Sequence, residues 1–173
     1  YGWKGDWGTF GIGALARQLK VDRPGYDDSS FAGGLTVGGK WSMGSNDTLH
    51  YQLTGGEGIA RYIGLGITGD GVLDASDGSL DTTGVLAGYV GWRHAFSPKL
   101  RSNVIFARSD YDNDAALTGL AATRSVQSVR ANVFYSPLPK VDVGAELMFG
   151  QREIESGAKG DITRVQFTTK YSF

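Results

Sequence analysis

The residues of this chain best suited to chemistry are its cations, and their spacing says more than their number. Arg17, Lys40, Arg93, Arg101, Arg130, Arg152, Arg164 and Lys170 lie in stretches where apolar and polar residues alternate, each opposite the apolar positions. Alternate residues of a strand point to opposite faces, so these side chains belong to one face of a sheet whose other face is apolar. Among clear strand positions, Asp142 and Glu146 are the acids on that same side. A passage lined by one sign of charge concentrates solutes of the opposite sign, because a low-dielectric wall focuses the field. Attraction of small anions is the chemistry this pattern offers. The competing reading is that the arginines pair with carboxylates across the passage and merely brace it.

A further cation, Arg61, stands with Tyr62 in a Gly- and Asp-rich connection from Gly55 to Thr82. Long segments without a strand or helix pattern are usually functional or disordered. Folded inward, this one would narrow the passage with Arg61 and Tyr62 near the constriction; otherwise Arg61 anchors the loop at the rim. Asp70, Asp74, Asp77 and Asp81 are irregularly spaced and read as a solvated acidic loop, with divalent ions bridging to lipopolysaccharide as the other use. Asp110-Tyr-Asp-Asn-Asp114 begins like a calcium loop, but Ala115 replaces the needed Gly and Ala121 the bidentate Glu.

Catalytic chemistry has little to work with. His50 and His94 both fall toward the ends of strands at tight turns, His50 as a lumen or turn-supporting residue and His94 at an interface, away from the opposite rim where barrel hydrolases carry Ser, His and Asp. No phosphate loop, HExxH or nucleophile elbow occurs. No cofactor, no metal and no enzymatic activity are expected.

The elements that must position the cations are strands. Hydrophobic residues make up 40% of the 173, mean hydropathy is -0.21, and no apolar run approaches the roughly 20 residues of a membrane helix. A membrane barrel remains, because its lipid-facing and lumen-facing residues alternate and each strand looks half hydrophobic. The net charge of -1 gives no pull toward nucleic acid, and the absence of Cys leaves no disulfide or Cys-based metal site. The final stretch, Asp161 to Phe173, alternates Val165, Phe167, Tyr171 and Phe173 with Arg164, Gln166, Lys170 and Ser172. Seven earlier segments behave alike, at about Trp7 to Val21, Phe31 to Met43, Thr48 to Thr54, Gly84 to Phe96, Leu100 to Tyr111, Arg124 to Ser136 and Val141 to Arg152.

Eight antiparallel strands result, with tight turns at 44 to 47, 97 to 99 and 137 to 140 and long connections at 22 to 30, 55 to 82, 112 to 123 and 153 to 160. Alternating short and long connections suit an outer-membrane barrel with periplasmic turns and extracellular loops. If Phe173 lies at the periplasmic end, so do the three tight turns. Trp41, Tyr51, Trp92, Phe96, Tyr135 and Tyr171, all of apolar parity, then form one interfacial girdle. The fold class expected is therefore all-β, an antiparallel transmembrane barrel occupying 1 to 173 alone or as half of a larger barrel. Gly11, Gly13, Gly38, Gly91 and Gly144 leave the cationic face too bare to fill a small barrel, which favours a wide pore.

Several segments also carry a resemblance. Ala14-Leu-Ala-Arg-Gln-Leu19, Gly56-Glu-Gly-Ile-Ala-Arg-Tyr62, Gly88-Tyr-Val-Gly-Trp-Arg-His94, Tyr135-Ser-Pro137, Val141-Asp-Val-Gly-Ala-Glu146, Lys159-Gly-Asp-Ile-Thr-Arg-Val-Gln-Phe167 and Lys170-Tyr-Ser-Phe173, in that order, resemble the C-terminal half of the DcaP-like trimeric porins of Gram-negative bacteria. The resemblance implies a sixteen-stranded barrel of which this chain supplies half, a homotrimer in the bacterial outer membrane, and passive diffusion of small anionic solutes such as dicarboxylates. It implies contact with outer-membrane lipid and lipopolysaccharide, and a terminal Phe173 read by the barrel-insertion machinery. The other readings are a complete eight-stranded structural or lipid-interacting barrel, and a barrel enzyme.

Overall fold

The computed structural model of the protein describes residues 1–64 and 66–173. The described strands are β1 (Gly2–Gly5), β2 (Gly8–Arg23), β3 (Tyr26–Met43), β4 (Asp47–Glu57), β5 (Gly71–Leu73), β6 (Leu80–Thr82), β7 (Gly84–Ser97), β8 (Leu100–Asp112), β9 (Thr123–Tyr135), β10 (Val141–Ile154) and β11 (Lys159–Tyr171). Nine of them form one sheet in the order β1-β2-β3-β4-β7-β8-β9-β10-β11, while β5 and β6 make a separate hairpin. Every pairing is antiparallel. Two single-turn helices, α1 (Ala60–Ile63) and α2 (Ala115–Thr118), interrupt the connections.

All eight expected strands are present, but the strand count of eight is corrected. Among the described residues there are eleven strands, and the main sheet is open, with β1 and β11 at its edges. Two of the four connections expected to be long are also short. β2 runs to Arg23 and β3 starts at Tyr26, so 22 to 30 is mostly strand, reversed at Gly25 with φ 91°. Its outer residues pair as Val21 with Asp28 and Asp22 with Asp27, and Lys20 bridges Asp22 and Asp27. A strand that projects beyond the apolar layer has no reason to alternate, so its sequence reads as a loop. At the other end, β10 continues to Ile154 and β11 begins at Lys159.

Residues directly opposite across a ladder share a face, so the register fixes both faces of the sheet. One rung reads Trp3, Phe10, Gly39, Tyr51, Val90, Phe106, Val129, Phe149 and Thr163. This outer face leaves Phe31, Leu35, Trp41, Phe149, Val165 and Phe167 exposed at 53–79%. An apolar surface of that extent is far beyond what a soluble monomer shows, and it matches the lipid-facing side of a membrane barrel. The girdle residues Trp41, Trp92, Phe96, Tyr135 and Tyr171 are exposed on the same face beside the tight turns.

The tight turns also reveal the strand tilt. The β3–β4 turn lies just beyond the rung of Met43, Asp47, His94, Ser102, Val133, Ala145 and Phe167. The β7–β8 turn lies one residue pair further, past Leu100, and the β9–β10 turn one pair further again, past Val141 and Tyr171. If the turns share one membrane level, the strands advance about 6.7 Å for every 9.6 Å across the sheet, a tilt of about 35°. Membrane barrels tilt by roughly that amount. At this tilt the outer face of β3 from Trp41 to Phe31 covers about 27 Å of the membrane normal, close to the apolar height of such barrels.

Candidate functional site: the inner face and its inward loop

The opposite face of the sheet carries the connection between β4 and β7. Gly58, with φ 65°, turns the chain at the end of β4, and a Cβ there would stand 2.6 Å from that of Ala32. Ile59 and Ala60 then bury themselves against Val85, Ala87 and Tyr111, with Ile63 and Ile67 packed alongside. Val85, Ala87 and Tyr111 point away from the apolar outer face, so the loop folds inward. Gly34 on β3 makes room for it, since a Cβ there would collide with Ile59.

Polar contacts complete the seat. The Asp28 carboxylate accepts from the Leu80 N–H at 2.6 Å, Ser30 Oγ donates to the Leu80 carbonyl, and Thr123 Oγ1 donates to the Ile67 carbonyl at 3.0 Å. The principal latch is Asp70, whose side chain is 5% exposed. It accepts from Arg17 Nη1 at 2.9 Å and from the Arg61 N–H at 2.8 Å, and it also pairs with Arg61 Nε. The Arg17 guanidinium lies 5.6 Å from the centre of the Tyr62 ring. The expectation that Asp70 belongs to a solvated acidic loop is therefore corrected: its carboxylate is buried and engaged by two guanidiniums. Nothing in the sequence beyond the flanking glycines marked Asp70 out. Asp74 and Asp77 do form an exposed turn, each capping a serine two residues on. Asp77 is held below the ordinary carboxylate range by the Ser79 N–H and then by the Ser79 hydroxyl.

The remaining cations lie on the inner parity of their strands, as the register requires. They divide into two sets. Arg101 pairs with Asp142 at 3.2 Å, and Arg164 with Glu146 at 3.3 Å. Asp142 also accepts from Ser136 Oγ, while Glu146 accepts from Asn132, which in turn accepts from Asn103. Arg152 donates to Thr123 Oγ1 and to the Ala121 carbonyl. Lys40, Arg93, Arg130 and Lys170 make no ion pair within 4 Å among the described residues. Bracing thus accounts for part of the cationic wall and leaves part uncompensated.

The histidines lie on opposite faces and cannot join one site. His50 shares the inner rung of Lys40, whereas His94 is outward and meets Asp47 at 2.8 Å, with the Trp92 indole N–H donating to the same carboxylate oxygen. In the calcium-like stretch, Asp110 is engaged by Arg108 and Asp114 caps α2.

An open antiparallel wall with an apolar outer face, a polar inner face and a loop seated inward is the architecture of part of an outer-membrane β-barrel. No protein-family model matches the chain, and no curated protein matches it in sequence. Its structure is similar to the crystal structure of the outer membrane channel DcaP of Acinetobacter baumannii, with a TM-score of 0.86 and 23% identity. The match covers 96% of this chain and 47% of that channel, so the chain spans about half its length.

Proposed function

We propose that this chain forms part of the wall of an outer-membrane porin, through which small anionic solutes, dicarboxylates among them, diffuse passively. The observation that carries the reading is the polarity of the two faces: an apolar belt outside, and inside Lys40, Arg93, Arg130 and Lys170, none with a carboxylate within 4 Å among the described residues. Field focusing by the surrounding lipid makes such a lining attractive to anions. The loop, latched by Asp70 between Arg17 and Arg61, narrows the passage and presents Arg61 and Tyr62 to passing solutes.

The open edges support a larger barrel. The strand hydrogen-bonding groups along β11 have no partner on one side, and lipid cannot satisfy them. Further strands must cover that edge in the membrane, which suits half of a sixteen-stranded barrel better than a filled eight-stranded one. A homotrimer, lipopolysaccharide around the belt and recognition of Phe173 by the insertion machinery complete the reading. The test is the reversal potential of the full-length protein containing this segment, in planar bilayers under a salt gradient. Anion preference is expected; a well-inserted protein that conducts nothing, or prefers cations, contradicts the reading.

A further inference from the structure

We infer that the channel has a second selectivity element, a ring of cations at its periplasmic mouth formed by Lys40, Arg93, Arg101 and Lys170, distinct from the loop constriction. The inference rests on the porin reading. These residues look scattered along the sequence and even along the register, because Lys40 heads the rung of His50, Gly91, Ile105, Arg130, Met148 and Arg164. With strands tilted about 35°, however, a line of constant depth is not a rung. It falls by one residue pair toward the tight turns for every two strands crossed.

Followed from Lys40 on β3, that line passes two strands later from Gly91 to Arg93 on β7. On β8 it lies just above Arg101, and six strands from Lys40 it has moved from Arg164 to Lys170 on β11. The four cations therefore share one level within about 3 Å, separated along the wall by about 6 to 18 Å. Arg17 and the loop lie about 20 Å nearer the extracellular side. Asp142 is the carboxylate at the ring's level; it pairs with Arg101 and stands opposite Lys170 in the register. Lys40 and Arg93 face Thr9, His50, Thr48 and Asn103 across their ladders, none of them acidic. The ring keeps a net positive charge.

Its spacing is comparable with the Debye length of about 8 to 10 Å at 0.1 to 0.15 M salt, so neighbouring fields overlap there and separate at 1 M, where screening acts within about 3 Å. An anion that has passed the loop meets this ring last, and one entering from the periplasm meets it first.

The test uses the full-length protein in planar bilayers at 0.1 M and 1 M salt, with Lys40→Gln, Arg93→Gln and Lys170→Gln singly and combined. In a conducting, anion-preferring channel, the triple variant is expected to lower the anion-to-cation permeability ratio at least threefold at 0.1 M, with little change at 1 M. It should also alter the asymmetry of current with voltage polarity, since the charge lies at one mouth. Lys40→Arg and Arg93→Lys should keep the wild-type ratio, which a packing role would not require. A triple variant with wild-type selectivity at 0.1 M overturns the ring while leaving the porin reading intact. A wild-type protein without anion preference overturns that reading itself. If the triple variant does not insert, the single variants decide, each being expected to lower the ratio.

Discussion

Replacing Asp70 by Asn should loosen the loop without unfolding the wall. The substitution keeps the size of the side chain and an acceptor oxygen but removes the charge shared by Arg17 and Arg61. The contact to Arg17 is sheltered, with the two side chains 18% and 5% exposed, and a charge-assisted hydrogen bond of this kind contributes about 1.5–3 kcal/mol. Arg61 is 61% exposed, so its share is screened to no more than about 1 kcal/mol. Asn retains part of these bonds, which leaves a loss of about 2–3 kcal/mol, or a shift of roughly thirty- to a hundred-and-fortyfold toward the unseated loop. Burial of Ile59 against Val85, Ala87 and Tyr111 contributes about 1.5–3 kcal/mol and is untouched. The loop should therefore fluctuate rather than leave. Single-channel recordings of the full-length protein should show added open-state noise and a larger mean conductance, with stronger anion preference because two guanidiniums have lost their counter-charge. A correctly inserted variant with unchanged conductance, noise and selectivity would refute the claim that Asp70 holds a loop in the pathway.

Gly58→Val should loosen the same loop by a different route, because φ 65° costs a β-branched residue about 1–3 kcal/mol and the new Cβ would press on Ala32; channel noise resembling that of Asp70→Asn is the expected readout. Val104→Lys, on the outer face of β8, should destabilise the inserted barrel by about 2–4 kcal/mol in denaturant titrations in lipid, whereas Ala107→Lys on the inner face of the same strand should cost little. Asp77 titrates below the ordinary carboxylate value when folded, so its turn is stabilised above about pH 4 and loses that contribution as pH falls through the lowered value. A carboxyl chemical-shift titration should place its midpoint below that of Asp77 in the denatured protein, and a midpoint at or above it would contradict the cap from Ser79.

Strands inside the apolar layer were legible because lipid on one side and water on the other force a period of two, as in Val104, Phe106, Arg101 and Asn103 of β8. Outside that layer the signal vanishes. The outer ends of β2 and β3 carry Lys20, Asp22, Asp27 and Asp28 on both faces, and β1 is only Gly2–Gly5, so neither was readable as strand. Parity alone puts the cations on the face opposite the apolar one, but it cannot say which of them find carboxylates. Arg101 meets Asp142, and Arg164 meets Glu146, through cross-strand register and diagonal reach that a single sequence does not contain. Asp70 was invisible for a related reason: its partner Arg17 lies 53 residues away, and only the inward fold of the loop brings them together.

The most direct test of the account is the sidedness of β8 in a membrane. The chain has no Cys, so single cysteines at 103, 104, 105 and 106 of the full-length protein in lipid vesicles can be probed with a membrane-impermeant thiol reagent. Labelling at Asn103→Cys and Ile105→Cys, with protection at Val104→Cys and Phe106→Cys, is the predicted result. Uniform labelling, or the reverse alternation, would contradict a channel wall with its cations facing water and its apolar face in lipid.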